Sequence, residues 1–81
     1  MRRVVVMPSM GDASGELVLA HWFKAPGDRV EKGETLFEVE TDKVTVPVES
    51  LYSGTLTELL VAEGATATAG APIAAIDDGA G

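Results

Sequence analysis

Short apolar and β-branched runs alternate with polar, glycine-containing segments along the whole chain. Residues 3–7 are the first run and predict a strand that Pro8 ends. Residues 9–15 hold Gly11, Asp12, Ser14 and Gly15 and predict a surface loop. Residues 16–24 predict a second strand whose alternation is imperfect. Leu17, Leu19 and Phe23 share one parity, Val18 and Trp22 the other. A bulge, or burial of both faces at one end, accounts for the change. A helix is the competing assignment; Val18 and the flanking Gly15 and Pro26 weigh against it. Ala25-Pro26-Gly27-Asp28 is a turn, with proline set for its first corner and glycine free to take positive φ. A short strand at 29–30, a turn at 31–34 and a strand at 35–40 follow. Thr41-Asp42-Lys43 then joins this strand to another at 44–48, which makes a hairpin. Beyond Gly54 the pattern predicts a strand at 55–61, a turn at 62–64, a weak extended stretch at 65–68, a turn at 69–71 and a strand at 72–76. Residues 1–77 read as one domain and 78–81 as the start of a flexible linker.

A repeat with a spacing of 37 residues runs through this pattern. Gly27 maps to Gly64 and Gly33 to Gly70. Leu19 maps to Leu56, Trp22 to Leu59, Leu36 to Ile73 and Val39 to Ile76. Neither repeat can bury its apolar face alone, so the expectation is two four-strand units packed on one another. The predicted fold is all-β: a flattened β-barrel or sandwich of two four-stranded sheets with quasi-two-fold symmetry and the Lys43 hairpin at one end. Val4-Val5-Val6 takes Val44-Thr45-Val46 as its counterpart, and the connection after it differs in length. Pro47 cannot donate to a ladder, so its strand is expected at an unpaired edge.

The totals narrow the function. Eighty-one residues make one small domain, and with no cysteine there is neither a disulfide nor a thiolate metal site. The formal net charge of −7 repels nucleic acid and anionic lipid. It suits a carrier that meets basic partner surfaces. No apolar run approaches the roughly 18 residues of a membrane span, and the run after Met1-Arg2-Arg3 stops too soon, at Pro8, for a signal peptide.

Lys43 is the candidate for chemistry: an exposed lysine displayed on a rigid hairpin that bisects the chain, flanked by Thr41, Asp42 and Val44. Other candidates are weaker. His21 is the sole histidine and reads as a surface strand residue; no cluster has metal-ligand spacing. Glu38 and Glu40 share a strand face, and a solvated face is the simpler reading. There is no phosphate-binding glycine loop and no Ser/His/Asp set in a suitable context, so no catalytic residue is assigned. Trp22 reads as core, or as half-buried at the barrel end, rather than as a ligand platform.

Met7-Pro8 with Met10-Gly11-Asp12, Trp22-Phe23-Lys24 with Gly27-Asp28-Arg29-Val30, and Gly33, Leu36, Glu38 and Val39 before Glu40-Thr41-Asp42-Lys43 stand in order along the chain. In that order they resemble the lipoyl domain of 2-oxo acid dehydrogenase complexes. Gly54, Glu63-Gly64, Gly70 and Ile73 continue the pattern, so the resemblance covers about residues 4–77. Leu17 departs from it, standing where the family often has glycine. Pro47 and Glu49 look transposed, and Leu51-Tyr52-Ser53 replaces a commoner Pro-Val-Ala.

The resemblance implies that lipoic acid is joined covalently to Lys43 by a lipoate-protein ligase or lipoyltransferase. It implies service to a thiamine-diphosphate-dependent 2-oxo acid decarboxylase, an acyltransferase core and a dihydrolipoamide dehydrogenase, in the bacterial cytoplasm or the mitochondrial matrix. Thr41, Asp42 and Val44 would form the recognition turn, and Met10, Gly11 and Asp12 a partner loop beside it. The family's acyltransferase signature, a histidine followed shortly by Asp-Gly, is missing, so the chain carries the arm and not that active site. The alternatives are a biotin carrier domain, which prefers methionine on both sides of the lysine, a glycine-cleavage carrier protein, and an unmodified lipoyl-like interaction module.

Overall fold

The β-branched runs fold as strands, and the glycine turns reverse the chain between them. The computed structural model describes residues 1–9, 16–41 and 43–79. Its strands are β1 (Arg2–Val6), β2 (Glu16–Trp22), β3 (Arg29–Val30), β4 (Thr35–Glu40), β5 (Thr45–Glu49), β6 (Gly54–Leu59), β7 (Thr66–Thr68) and β8 (Pro72–Asp77). They form two four-stranded antiparallel sheets, ordered β1-β8-β6-β3 and β5-β4-β2-β7. The helical alternative for the second run is thereby excluded. The expected strands were one or two residues out at several ends. Met7 and Val44 lie outside strands, β2 stops at Trp22 and β6 at Leu59.

The symmetry is present, in a different form from two stacked units. Each sheet takes two strands from each repeat, so the halves interleave. Exchanging β1 with β5, β2 with β6, β3 with β7 and β4 with β8 converts one sheet order into the other. The connecting hydrogen bonds repeat as well. Gly27 N donates to Leu56 O at 2.7 Å, and Gly64 N to Leu19 O at 2.7 Å. Gly33 N donates to Ser50 O at 2.8 Å, and Gly70 N to Met7 O at 2.7 Å. Gly27 and Gly64 adopt φ of 97° and 89°, which other residues rarely adopt.

These bonds correct one expected pairing. Glu40 opposes Thr45, whereas its equivalent Asp77 opposes Arg2. Val4-Val5-Val6 therefore corresponds to Pro47-Val48-Glu49, not to Val44-Thr45-Val46. Similarity of β-branched residues suggested the latter; the ladders decide. The offset arises in the connections, since nine residues separate Met7 from Leu17 and three separate Ser50 from Gly54.

The uneven parity of the second run has its cause in a bulge. Leu19 opposes Val39 and His21 opposes Glu38, so Ala20 is the extra residue. Leu17, Leu19 and Trp22 all reach the core as a result, while Phe23, which shares parity with Leu17 and Leu19, is exposed. The repeat places the equivalent bulge at Thr57 in β6. Between the sheets, Leu19 and Leu56, Leu36 and Ile73, and Val39 and Ile76 are buried as symmetric pairs. Each such side chain contributes about 1.5–3 kcal/mol. Phe37 departs from the symmetry, because its equivalent is Ala74; Phe37 packs on Trp22 with ring centroids 5.2 Å apart.

Trp22 is anchored on both sides of its ring. Its Nε1 donates to Val61 O at 3.0 Å, and its backbone N donates to Glu63 Oε1 at 3.0 Å. His21 Nδ1 lies 2.8 Å from the same carboxylate oxygen. The Trp22 backbone bond, assisted by His21, holds the Glu63 carboxyl below its ordinary value of 4.5. A depressed folded value means the stabilisation is present above 4.5 and is lost as pH falls through the folded value. Between about pH 6 and about pH 3, the wild type is expected to lose more melting temperature than Glu63→Gln. Parallel thermal melts of the two proteins check this, and equal losses would contradict it.

Candidate functional site

The Lys43 hairpin is built from the last ladder pair outward. Glu40 and Thr45 close the β4–β5 ladder. Thr41 N then donates to Val44 O at 2.8 Å, so residues 41–44 form the turn rather than 41–43 alone. The Thr41 hydroxyl fills the turn. It donates to Val44 O at 2.9 Å and accepts from Val44 N at 3.1 Å and Lys43 N at 3.3 Å. Lys43 and Val44 are exposed while Thr41 is half-buried. Among the described residues Lys43 makes no ion pair, and it stands beyond the last ladder pair of β4 and β5. Pro47 sits in β5, an edge strand, as its missing N–H requires.

The surroundings are acidic. Glu40 is exposed and Glu38 half-buried; Glu38 has His21 and Pro47 as cross-strand neighbours, and Glu40 has Val18 and Thr45. The two carboxylates decorate a solvated sheet face. Leu17 lies beneath this end of the domain. It precedes Val18, the partner of Glu40, just as Gly54 precedes Thr55, the partner of Asp77. At Gly54 a Cβ would stand 2.2 Å from Asp77 O, whereas Leu17 is fully accommodated and 2% exposed. The hairpin root thus leaves room for a side chain that its symmetric counterpart does not.

Asp42 and the loop residues Met10, Gly11 and Asp12 lie outside the described residues, so the expected approach of that loop to the turn has no geometry to report. Sequence reasoning placed Lys43, Thr41 and Val44 together, and the structure does so too. It did not find the role of the Thr41 hydroxyl. The available signal was a hydroxyl residue two and three positions before the amides it accepts from, a common turn device.

Elsewhere, an apolar groove of about 260 Å³ runs between edge strands β1 and β5, lined by Val4, Val6, Phe37, Val48, Leu51 and Tyr52. It lies toward the end of β5 remote from the turn, and among the described residues Glu49 is its sole charged lining residue. No group of His, Cys, Asp and Glu among the described residues is arranged to hold a metal ion. No helix among them is long and apolar enough to cross a membrane.

The biotin/lipoyl family model, described as "Biotin-requiring enzyme", matches residues 3–76. The dihydrolipoyllysine-residue succinyltransferase component of the 2-oxoglutarate dehydrogenase complex of Rickettsia conorii is 39% identical over 80 residues, 99% of this chain and 20% of that protein. The dihydrolipoyllysine-residue acetyltransferase component of the pyruvate dehydrogenase complex of Corynebacterium glutamicum is 45% identical over 74 residues, 91% of this chain and 11% of that protein. The chain spans about a fifth or less of the length of these curated relatives. The solution structure of the lipoyl domain of the 2-oxoglutarate dehydrogenase complex from Azotobacter vinelandii superposes with a TM-score of 0.75 at 27% identity. That superposition covers 94% of this chain and 99% of that one.

Proposed function

This chain belongs to the biotin/lipoyl family and is a lipoyl domain within it, and from that premise we propose that Lys43 takes lipoic acid in amide linkage and serves as the swinging arm of a 2-oxo acid dehydrogenase complex. The observation that carries the reading is the placement of Lys43. It is the exposed lysine at the tip of a braced hairpin, with no ion pair among the described residues to hold it back. A long acyl chain extends from such a root without meeting the fold, so the residues present fit the group.

Lipoic acid supplies a dithiolane able to carry an acyl group and to exchange two electrons. The protein presents that group and keeps it tethered. Tethering raises its effective concentration at each partner site, so nothing need diffuse away between steps. The partners are a thiamine-diphosphate-dependent 2-oxo acid decarboxylase, an acyltransferase core in the parent protein, and a flavin-containing dihydrolipoamide dehydrogenase. A lipoate-protein ligase or lipoyltransferase installs the arm. Thr41, Asp42 and Val44, with the loop Met10, Gly11 and Asp12, form the surface these partners read. The substrate class is a 2-oxo acid, and the working compartment is the bacterial cytoplasm or the mitochondrial matrix.

Intact mass and peptide mapping after incubation with a lipoate-protein ligase, ATP and lipoate test the reading. The expected result is a lipoyl-sized gain on the peptide that holds Lys43, abolished by Lys43→Ala with the fold unchanged. No gain in a folded sample overturns it. A biotinyl-sized gain with a biotin ligase instead would replace it by the biotin-carrier function.

A further inference from the structure

We infer that Thr41 is a positioning residue for the modification of Lys43, acting through its side-chain hydroxyl; the inference rests on the reading of Lys43 as the lipoylation site. The β4–β5 ladder ends at Glu40 and Thr45, so the amides of Lys43 and Val44 at the tip have no cross-strand carbonyl to bond. One oxygen substitutes for that missing strand. The Thr41 hydroxyl accepts from both amides, at 3.3 Å and 3.1 Å, and donates to Val44 O at 2.9 Å. Val44 O also receives Thr41 N, at 2.8 Å, so three hydrogen bonds join the first and last residues of the turn.

No described residue other than glycine takes a positive φ, and that includes Thr41, Lys43 and Val44. The Lys43 side chain makes no ion pair among the described residues, and its direction follows from its own backbone. That backbone is fixed by Thr41, whose β-branched side chain has few rotamers of its own. The hydroxyl therefore sets the fraction of molecules that offer Lys43 in one orientation. An enzyme that binds only this orientation sees its apparent affinity reduced by that fraction, with the chemical step unchanged.

The consequence is a division between KM and kcat. Thr41→Val keeps the branched shape and removes the donor and acceptor. With a lipoate-protein ligase at saturating ATP and lipoate, and the domain as the varied substrate, this variant is expected to raise KM about tenfold with kcat unchanged, a factor equal to about 1.4 kcal/mol. Thr41→Ser restores the hydroxyl and is expected to return KM to within about threefold of the wild type. Amide hydrogen exchange at Lys43 and Val44, measured without any enzyme, is expected to quicken in Thr41→Val and not in Thr41→Ser, with β8 amides equally protected in all three proteins.

An unchanged KM in Thr41→Val overturns the inference. So does a Thr41→Ser protein as impaired as Thr41→Val, or a loss confined to kcat, which would place the hydroxyl in the chemistry instead. If the wild type is not lipoylated at all, the reading of Lys43 fails separately. The exchange measurement then still decides whether the hydroxyl orders the tip, and equal exchange in wild type and Thr41→Val would refute even that.

Discussion

Replacing Gly54 with alanine is expected to remove a large part of the stability of the domain. The added Cβ would stand 2.2 Å from Asp77 O, 2.8 Å from Asp77 C and 2.8 Å from Asp78 Cα. All three are backbone atoms, so no side chain can swing aside to admit it. Gly54 is needed for space and not for an unusual dihedral, because its φ is not positive. The residue is locked on both sides: Val30 of β3 opposes it, and its neighbour Thr55 pairs with Asp77 of β8. Over-packing against fixed atoms costs at least about 3 kcal/mol here, at the upper end of what such insertions do. Domains of this length have a total stability of roughly 4–12 kcal/mol. A fall in Tm of about 15 °C or more is expected by calorimetry, and a variant melting within about 5 °C of the wild type would show that β8 can move away.

Truncating Phe37 to alanine is the second large effect expected. Phe37 is 1% exposed, touches Trp22 and forms part of the floor of the groove between β1 and β5. Large-to-small changes at buried phenylalanine cost about 3–5 kcal/mol. The denaturant midpoint should fall sharply with little change in m-value, because the same surface is exposed on unfolding. Trp22 emission should shift at the same time, since the ring loses its aromatic neighbour. A midpoint near that of the wild type would mean that the core collapses onto the gap.

Much of this architecture was legible in the residues. The glycines at 27, 33, 64 and 70 mark turns because each adopts positive φ, and the matched leucines, isoleucines and valines mark one shared core. Lys43 stood out because two strand-like runs flank it. What stayed hidden depended on pairing between distant segments. Interleaving of the halves cannot be read from periodicity, which says which face is buried and not which strand lies alongside. The offset between β1 and β5 was masked by their shared valines and by the longer connection after Met7. The bulge at Ala20 is visible as broken parity, yet it has no position until Leu19 and His21 are paired with Val39 and Glu38. The space requirement at Gly54 depends on a strand 23 residues further on, at Asp77, and local sequence carries no trace of it.

The interleaved sheets also govern how the chain reaches its fold. β1 has one neighbour in its sheet, β8, with Arg2 opposite Asp77 and Arg3 opposite Ile76. The first strand of the domain is thus completed by its eighth. β2 and β4 can meet early, but β3 waits for β6 and β2 waits for β7 along its other edge. The β1–β8 and β2–β7 closures span long stretches of chain, and such pairings form slowly because loop entropy is lost before contacts repay it. During synthesis Val4, Val5 and Val6 have no strand to pair with until residue 77 emerges. The charges of Arg2 and Arg3 beside them are the local protection that an unpaired valine edge requires over that interval.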